Sequence, residues 1–268
     1  MTRWIEAPKD PSRIPRRRDS GGRVDAAFHA QYRALENRMR ALAEDDGDVF
    51  LPNPEPMGPA SHVFVCMEPS LGRWAQRPDQ LRTRVEAGSR NFLSSIEDFI
   101  LHFSIRQYLC DAGQRYHITD LSKGAMLVDR AGIARTERYD RWYELLLEEI
   151  DLVAQIEAGI FAVGRDVDQH LARRGFIRKF TRILHYSGQA GQARADGIIG
   201  NEDEFEHFKT TVSLENVLVL AEDVLNAAVP ATFRDETLKR LTSSQLTESR
   251  KQLIFNYKLA FERWLKVA

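Results

Sequence analysis

The sequence predicts an α/β protein: a three-layer α/β/α sandwich with a central four-stranded parallel sheet and a helical C-terminal extension. Three observations predict it. Four short apolar runs read as strands: HVFVCM (62–67), YHITDL (116–121), AGIFAVG (158–164) and FTRILHYS (180–187). Segments of helical periodicity, about ten residues or longer, lie between them, which implies crossover connections and parallel pairing. Beyond residue 203 the pattern is helical throughout, with a break expected at Pro230.

In chain order, residues 1–23 are rich in Pro, Gly and Arg and read as a flexible basic arm carrying Arg13, Arg16, Arg17 and Arg18. Residues 24–268 read as one domain. Val24, Ala27, Phe28, Tyr32, Leu35, Met39 and Leu42 recur at spacings of three and four, an amphipathic helix. The loop LPNPEPMGPAS with its four prolines leads into the first strand. Residues 88–110 read as a helix with Ile96, Phe99, Ile100 and Phe103 on one face, and 137–157 as another around Leu145, Leu146, Ile150 and Val153. DVDQHLARRG (166–175) is a helix closed by glycine.

Composition is ordinary for a soluble globular chain: 268 residues, 43% hydrophobic and 29% charged. No apolar run reaches the 18 or so residues that span a bilayer, and the N-terminus lacks a signal-peptide core, so no membrane partner and a cytoplasmic location are expected. Cys66 and Cys110 are the only cysteines, too few for a disulfide framework or a four-cysteine zinc or iron–sulfur site. No cofactor and no metal are expected. A net charge of −1 leaves nucleic acid open, because phosphate binding needs local rather than overall positive charge.

No G-x-G-x-x-G follows the first strand, and neither G-x-x-x-x-G-K-[ST] nor G-x-S-x-G occurs, so dinucleotide, P-loop and α/β-hydrolase readings lack their motifs. In open parallel sheets the ligand sits beyond the carboxyl ends of the strands. The residues there are Glu68–Gly72, Asp120–Lys123, Gly164 and His185–Arg194.

Those strand ends resemble the uracil-DNA glycosylase superfamily. VFVCMEPSLGRW (63–74) is similar to its first motif, G-x-[DN]-P-[YGS], and is nearest to the N-P-[GS]-L of the mismatch-specific branch. LHYSGQAGQAR (184–194) is similar to the second motif, H-P-S-x-x-x-x-x-R, with His185, Ser187 and Arg194 in register. YHITDL resembles the middle strand whose polar end reads the base, and GSRNFL (88–93) the segment supplying an aromatic ring. The likeness covers about residues 60–210. Three departures stand out: Cys66 for glycine, Glu68 for Asp or Asn, and Tyr186 for proline.

The resemblance implies a monofunctional DNA glycosylase that flips a pyrimidine-type base and hydrolyses its N-glycosidic bond, leaving an abasic site. Positive charge builds on the sugar and negative charge on the departing base. Glu68 then orients water near C1′, and His185 donates to the base oxygen. Asp120, Phe92 and Ser70 bind the base, while Ser187 and Arg194 hold DNA phosphates. An ionised Asp120 only accepts hydrogen bonds, which suits the amine of cytosine better than uracil O4. Ser70, in place of a bulky tyrosine, leaves room for a group at C5. Together these favour a 5-modified cytosine of foreign DNA, such as the hydroxymethylated or glucosylated form in phage genomes. The alternative is a glycosylase-fold module that binds nucleic acid or protein without catalysis.

Each residue also has a plainer reading. Glu68 can be a surface carboxylate, His185 and His117 hydrogen-bonded core histidines, Phe92 core, and Asp120 an N-cap.

Overall fold

The computed structural model describes residues 26–127, 135–187 and 190–267. The basic arm read over 1–23 lies outside the described residues. The first strand of the central sheet, β2 (Ala60–Cys66), follows a two-residue strand, β1 (Val49–Phe50). All of β2 but Ser61 is buried, as its continuous apolar run demands of a strand covered on both faces. It pairs in parallel with β3 (Tyr116–Asp120) and with β5 (Ala154–Val163), and β5 pairs in parallel with β6 (Phe180–Ile183). The order is β3-β2-β5-β6.

Alternation sorts the side chains to two faces. Phe64, Cys66, Phe161 and Val163 enter one core; Val63, Val65, Ile160 and Ala162 enter the other. On the first face lie α3 (Ile96–Tyr108) and the C-terminal helices α7 (Glu202–Thr211), α8 (Leu214–Ala228), α9 (Ala231–Leu241) and α10 (Glu248–Leu265). On the second lie α1 (Ala26–Asp45), α4 (Arg135–Val153) and α5 (Arg165–Arg173). Two further short helices are α2 (Pro78–Glu86) and α6 (Gly191–Asp196). The crossover from β2 runs outward to β3 by way of α3. Those from β3 and β5 run in the opposite direction by way of α4 and α5 on the other face, as one handedness requires. The three-layer sandwich expected from the sequence is present.

Several boundaries differ from expectation, each for a local reason. The helix read from residue 88 begins only at Ile96, because Ser95 caps it in a reciprocal box with Asp98. The preceding turn holds Gly88 and Phe92 at φ of 103° and 57°. The helix read to 157 ends at Val153, and β5 starts at Ala154. The last strand stops at Ile183 instead of 187 because the next carbonyl, Leu184 O, accepts from the Tyr257 hydroxyl at 2.9 Å instead of joining the ladder. Breaks near Ser213 and over 242–247 join the expected one at Pro230. The antiparallel pair β1–β4, where β4 is Gly124–Ala125, and the helix α2 carried no pattern strong enough to find.

Gly164 links β5 to α5 at φ 101°, and a Cβ there would stand 3.2 Å from His185 Cβ. Gly164→Ala should therefore lower stability by about 1–3 kcal/mol and displace His185. Thermal melting of the variant checks this, and an unchanged midpoint would refute it.

Candidate active site

β2 and β5 are neighbours whose outgoing connections leave in opposite directions, on opposite faces of the sheet. Such a switch point opens a crevice at the carboxyl ends of the strands. Glu68 follows β2 there, and Asp166 follows β5. A cleft of about 280 Å³ lies alongside, lined by Arg135, Tyr139, Asp166, His170 and Arg173, among others.

The Glu68 side chain is 7% exposed and held from α4. Arg135 Nη2 donates to its Oε1 at 3.0 Å, and the Tyr139 hydroxyl donates to its Oε2. Arg135 also pairs with Asp166 at 3.2 Å. Burial raises the Glu68 carboxyl above its ordinary range, although Tyr139 and Arg135 pull the other way. Each carboxylate oxygen has a second lone pair, so a water can still be held.

At the end of the neighbouring strand, Asp120 is 3% exposed. It accepts from Asn91 Nδ2 at 2.8 Å. Burial raises its carboxyl well above the usual range; Lys123 opposes this and Glu149 and Glu68 add to it. Such an acid resists ionisation. A group that binds its proton more tightly when folded loses stability as pH rises through the folded value. Asp120→Asn removes that loss, so its melting temperature relative to wild type should climb as pH rises above the ordinary carboxylate range. A constant difference would show that Asp120 does not titrate there.

Phe92 follows Asn91 in the left-handed region, an uncommon conformation for a bulky residue. The carbonyl of Phe92 accepts from His102 Nε2 at 3.2 Å, and His102 Nδ1 then accepts from the Tyr116 hydroxyl at 2.7 Å. Burial lowers His102 to about 4, keeping the ring neutral for this pair of bonds. The Phe92 ring is 2% exposed within the core of the first face, so as it stands it offers no open surface for stacking.

His185 and its neighbours lie on the loop after β6. The Ser187 backbone N–H donates to His185 Nδ1 at 3.0 Å, which puts the proton of the neutral ring on Nε2 as a donor. Burial lowers the His185 pKa; Arg194 and Arg135 lower it further, while Asp166 raises it. The ring stacks on Tyr186 at 4.8 Å. The Tyr186 hydroxyl in turn is hydrogen-bonded to the Cys66 thiol. Two of the three departures from the glycosylase pattern thus touch each other.

Arg194 does not face outward as a phosphate ligand would. It is 4% exposed and donates to the carbonyls of Tyr186 and Ser187 at 2.6 and 2.8 Å and to Ser249 Oγ at 3.2 Å. Its guanidinium braces the His185 loop, a correction to the expected phosphate contact. Ser70 is exposed and bridges to Met126. No hydrogen bond joins Glu68 to His185 among the described residues; Arg135 and Asp166 act electrostatically on the histidine, and Arg135 bonds the glutamate.

Behind the sheet, Glu149 of α4 is fully buried. It accepts from His117 Nε2 at 2.9 Å and Thr119 Oγ1 at 2.6 Å, and pairs with Lys123 Nζ at 2.9 Å. Burial works against its charge, but Lys123, His117 and Thr119 together outweigh it and hold the carboxyl down to about 2. His117 is thus a hydrogen-bonded core histidine, and its partner Glu149 is a residue the sequence analysis does not single out. A visible signal was present: Glu149 stands on the apolar stripe of Leu146, Ile150 and Val153. Nothing in the sequence singled out Arg135 or Tyr139.

Among the described residues no group of three His, Cys, Asp or Glu side chains could hold a metal ion, and no helix is long and apolar enough to cross a membrane. The chain is thus an α/β protein with a candidate site at the switch point of a parallel sheet, with buried carboxyls after two adjacent strands and a histidine donor after the fourth. Comparison with family models, with curated proteins and with solved structures finds no match.

Proposed function

We propose that this chain is a monofunctional DNA glycosylase that hydrolyses the N-glycosidic bond of a flipped pyrimidine-type base. The observation that carries the reading is the placement of Glu68, Asp120 and His185 after strands of one parallel sheet, with Glu68 and Asp166 flanking its switch point. Glu68, fixed by Arg135 and Tyr139, holds the attacking water and faces the cationic sugar. His185 donates from neutral Nε2 to the base oxygen as negative charge develops there. Asp120 reads the base edge. A neutral carboxylic acid presents one donor and one acceptor, which complements cytosine N3 and its 4-amino group and also uracil O4 and N3–H; only the ionised form favours cytosine. Exposed Ser70 supports a substituent at C5, as in the modified cytosines of phage DNA. Phe92 serves here by its strained backbone and buried ring, which position Asn91 against Asp120.

The test is incubation with oligonucleotides carrying uracil, cytosine, 5-hydroxymethylcytosine or glucosylated hydroxymethylcytosine, followed by alkali to break abasic sites. Cleavage is expected on the 5-modified cytosines. Preference for uracil overturns the base assignment, and no cleavage of any member overturns the catalytic reading in favour of a non-catalytic binding module.

A further inference from the structure

With Arg194 turned inward, an arginine contact to phosphate has to come from elsewhere. The stretch between Leu71 and Arg90 carries five arginines against two acids. It begins just past Glu68 and ends at Asn91–Phe92, so it adjoins the candidate site at both ends. At its centre Trp74 is covered by guanidinium groups: Arg73 at 4.8 Å, Arg84 at 5.1 Å and Arg77 at 5.4 Å from the ring. Glu236 of α9 pairs with both Arg73 at 3.1 Å and Arg84 at 2.7 Å. Arg240 stands one turn further along α9, and its guanidinium donates to Ser94 O.

Of these four guanidinium groups two, Arg73 and Arg84, share the Glu236 carboxylate, and Arg77 and Arg240 form no ion pair among the described residues. Of the other nearby acids, Asp79 pairs with Arg82 and Asp235 with Arg234. Arg77 is exposed and has no carboxylate partner among the described residues. Burial depresses Arg240, and the positive charges of Arg73 and Arg84 depress it further against the opposing pull of Glu236 and Asp98, so these cations repel one another. An arriving anion relieves that repulsion. We infer that the surface formed by Arg73, Arg77, Arg84 and Arg240 around Trp74 docks the phosphate backbone of nucleic acid.

The chemistry favours this occupant over an anionic lipid surface. No large exposed apolar side chain lies between 71 and 90 or on α9 to enter a bilayer, and the one tryptophan is capped by its arginines. Guanidinium forks suit phosphate oxygens, and the capped indole keeps them spaced. The inference rests on the reading that the substrate is DNA, but it requires no modified base.

The test measures binding of labelled, unmodified single- and double-stranded oligonucleotides by anisotropy between 50 and 200 mM salt. The double variant Arg73→Ala/Arg77→Ala and the single reversal Arg77→Glu are compared with wild type and with Arg38→Ala on α1. Melting curves confirm that each is folded. Wild type and Arg38→Ala are expected to bind with strong salt dependence. The double variant should lower the slope of log K against log salt by about 2, the release expected for two lost duplex phosphate contacts. Arg77→Glu alone should weaken binding to both strand forms. If wild type binds and these variants bind equally well, the surface assignment is wrong while the glycosylase reading stands. Weakened oligonucleotide binding without base release from any substrate upholds the surface and sinks the glycosylase. If wild type binds phosphatidylserine vesicles but no oligonucleotide, both fall.

Discussion

Replacing Glu149 by alanine lowers stability by about 3–5 kcal/mol, because Lys123 then remains buried without a counter-charge. For a chain of this size that corresponds to a fall of roughly 6–20 °C in melting temperature. The double variant Glu149→Leu/Lys123→Met, which removes both charges and keeps apolar volume, should recover much of the loss, since a buried pair and its apolar replacement are often close in stability. The acid dependence follows from the same pair. The Glu149 carboxyl is held down to about 2 when folded, so its contribution is complete above the ordinary carboxylate range and disappears as pH falls through 2. Thermal melts of the variants at neutral pH decide the matter: a single variant within about 1 °C of wild type would show that the network does not hold the fold.

His185→Ala and Glu68→Gln should each slow base release by about 10²-fold or more while leaving the melting temperature nearly unchanged, the scale of a lost oxyanion donor or water-orienting base. The two carboxyls give the rate a particular pH profile. Burial raises both, Asp120 further than Glu68. On the proposed glycosylase reading, activity should rise with pH as Glu68 ionises, above the ordinary glutamate range, and fall again when Asp120 loses its proton. In Asp120→Asn the alkaline limb should vanish. His185 adds no limb near neutrality, because burial and the adjacent arginines keep it uncharged there. Full activity in both His185→Ala and Glu68→Gln, on a substrate that wild type cleaves, removes them from the mechanism.

The layer order of the fold was legible because it depends on patterns that a single chain displays. Parallel strands buried on both sides must be apolar throughout, as β2 is, and the helices between them must carry a stripe. Strand ends were legible to within a few residues, which sufficed to place Glu68, Asp120 and His185 near them. What escaped was set by long-range contacts. Arg135 and Tyr139 reach Glu68 across 67 and 71 residues, and no local pattern encodes such a meeting. Phe92 looked like a stacking ring because its side chain was visible in the sequence and its left-handed backbone was not. Arg194 matched a motif by spacing, but its direction was decided by Ser249, far along the chain.

The brace on the His185 loop also has a consequence in time. Tyr257 of α10 fixes Leu184 O across 73 residues, and Asn256 holds Arg194 O across 62. During synthesis at about 5–20 residues per second, the loop leaves the ribosome roughly 4–15 s before the helix that pins it. Over that interval the sheet can assemble while the histidine has no fixed bearing. A nascent chain therefore passes through a stage in which it has its strands but an unpinned His185 loop, and the loop is fixed in one late docking event.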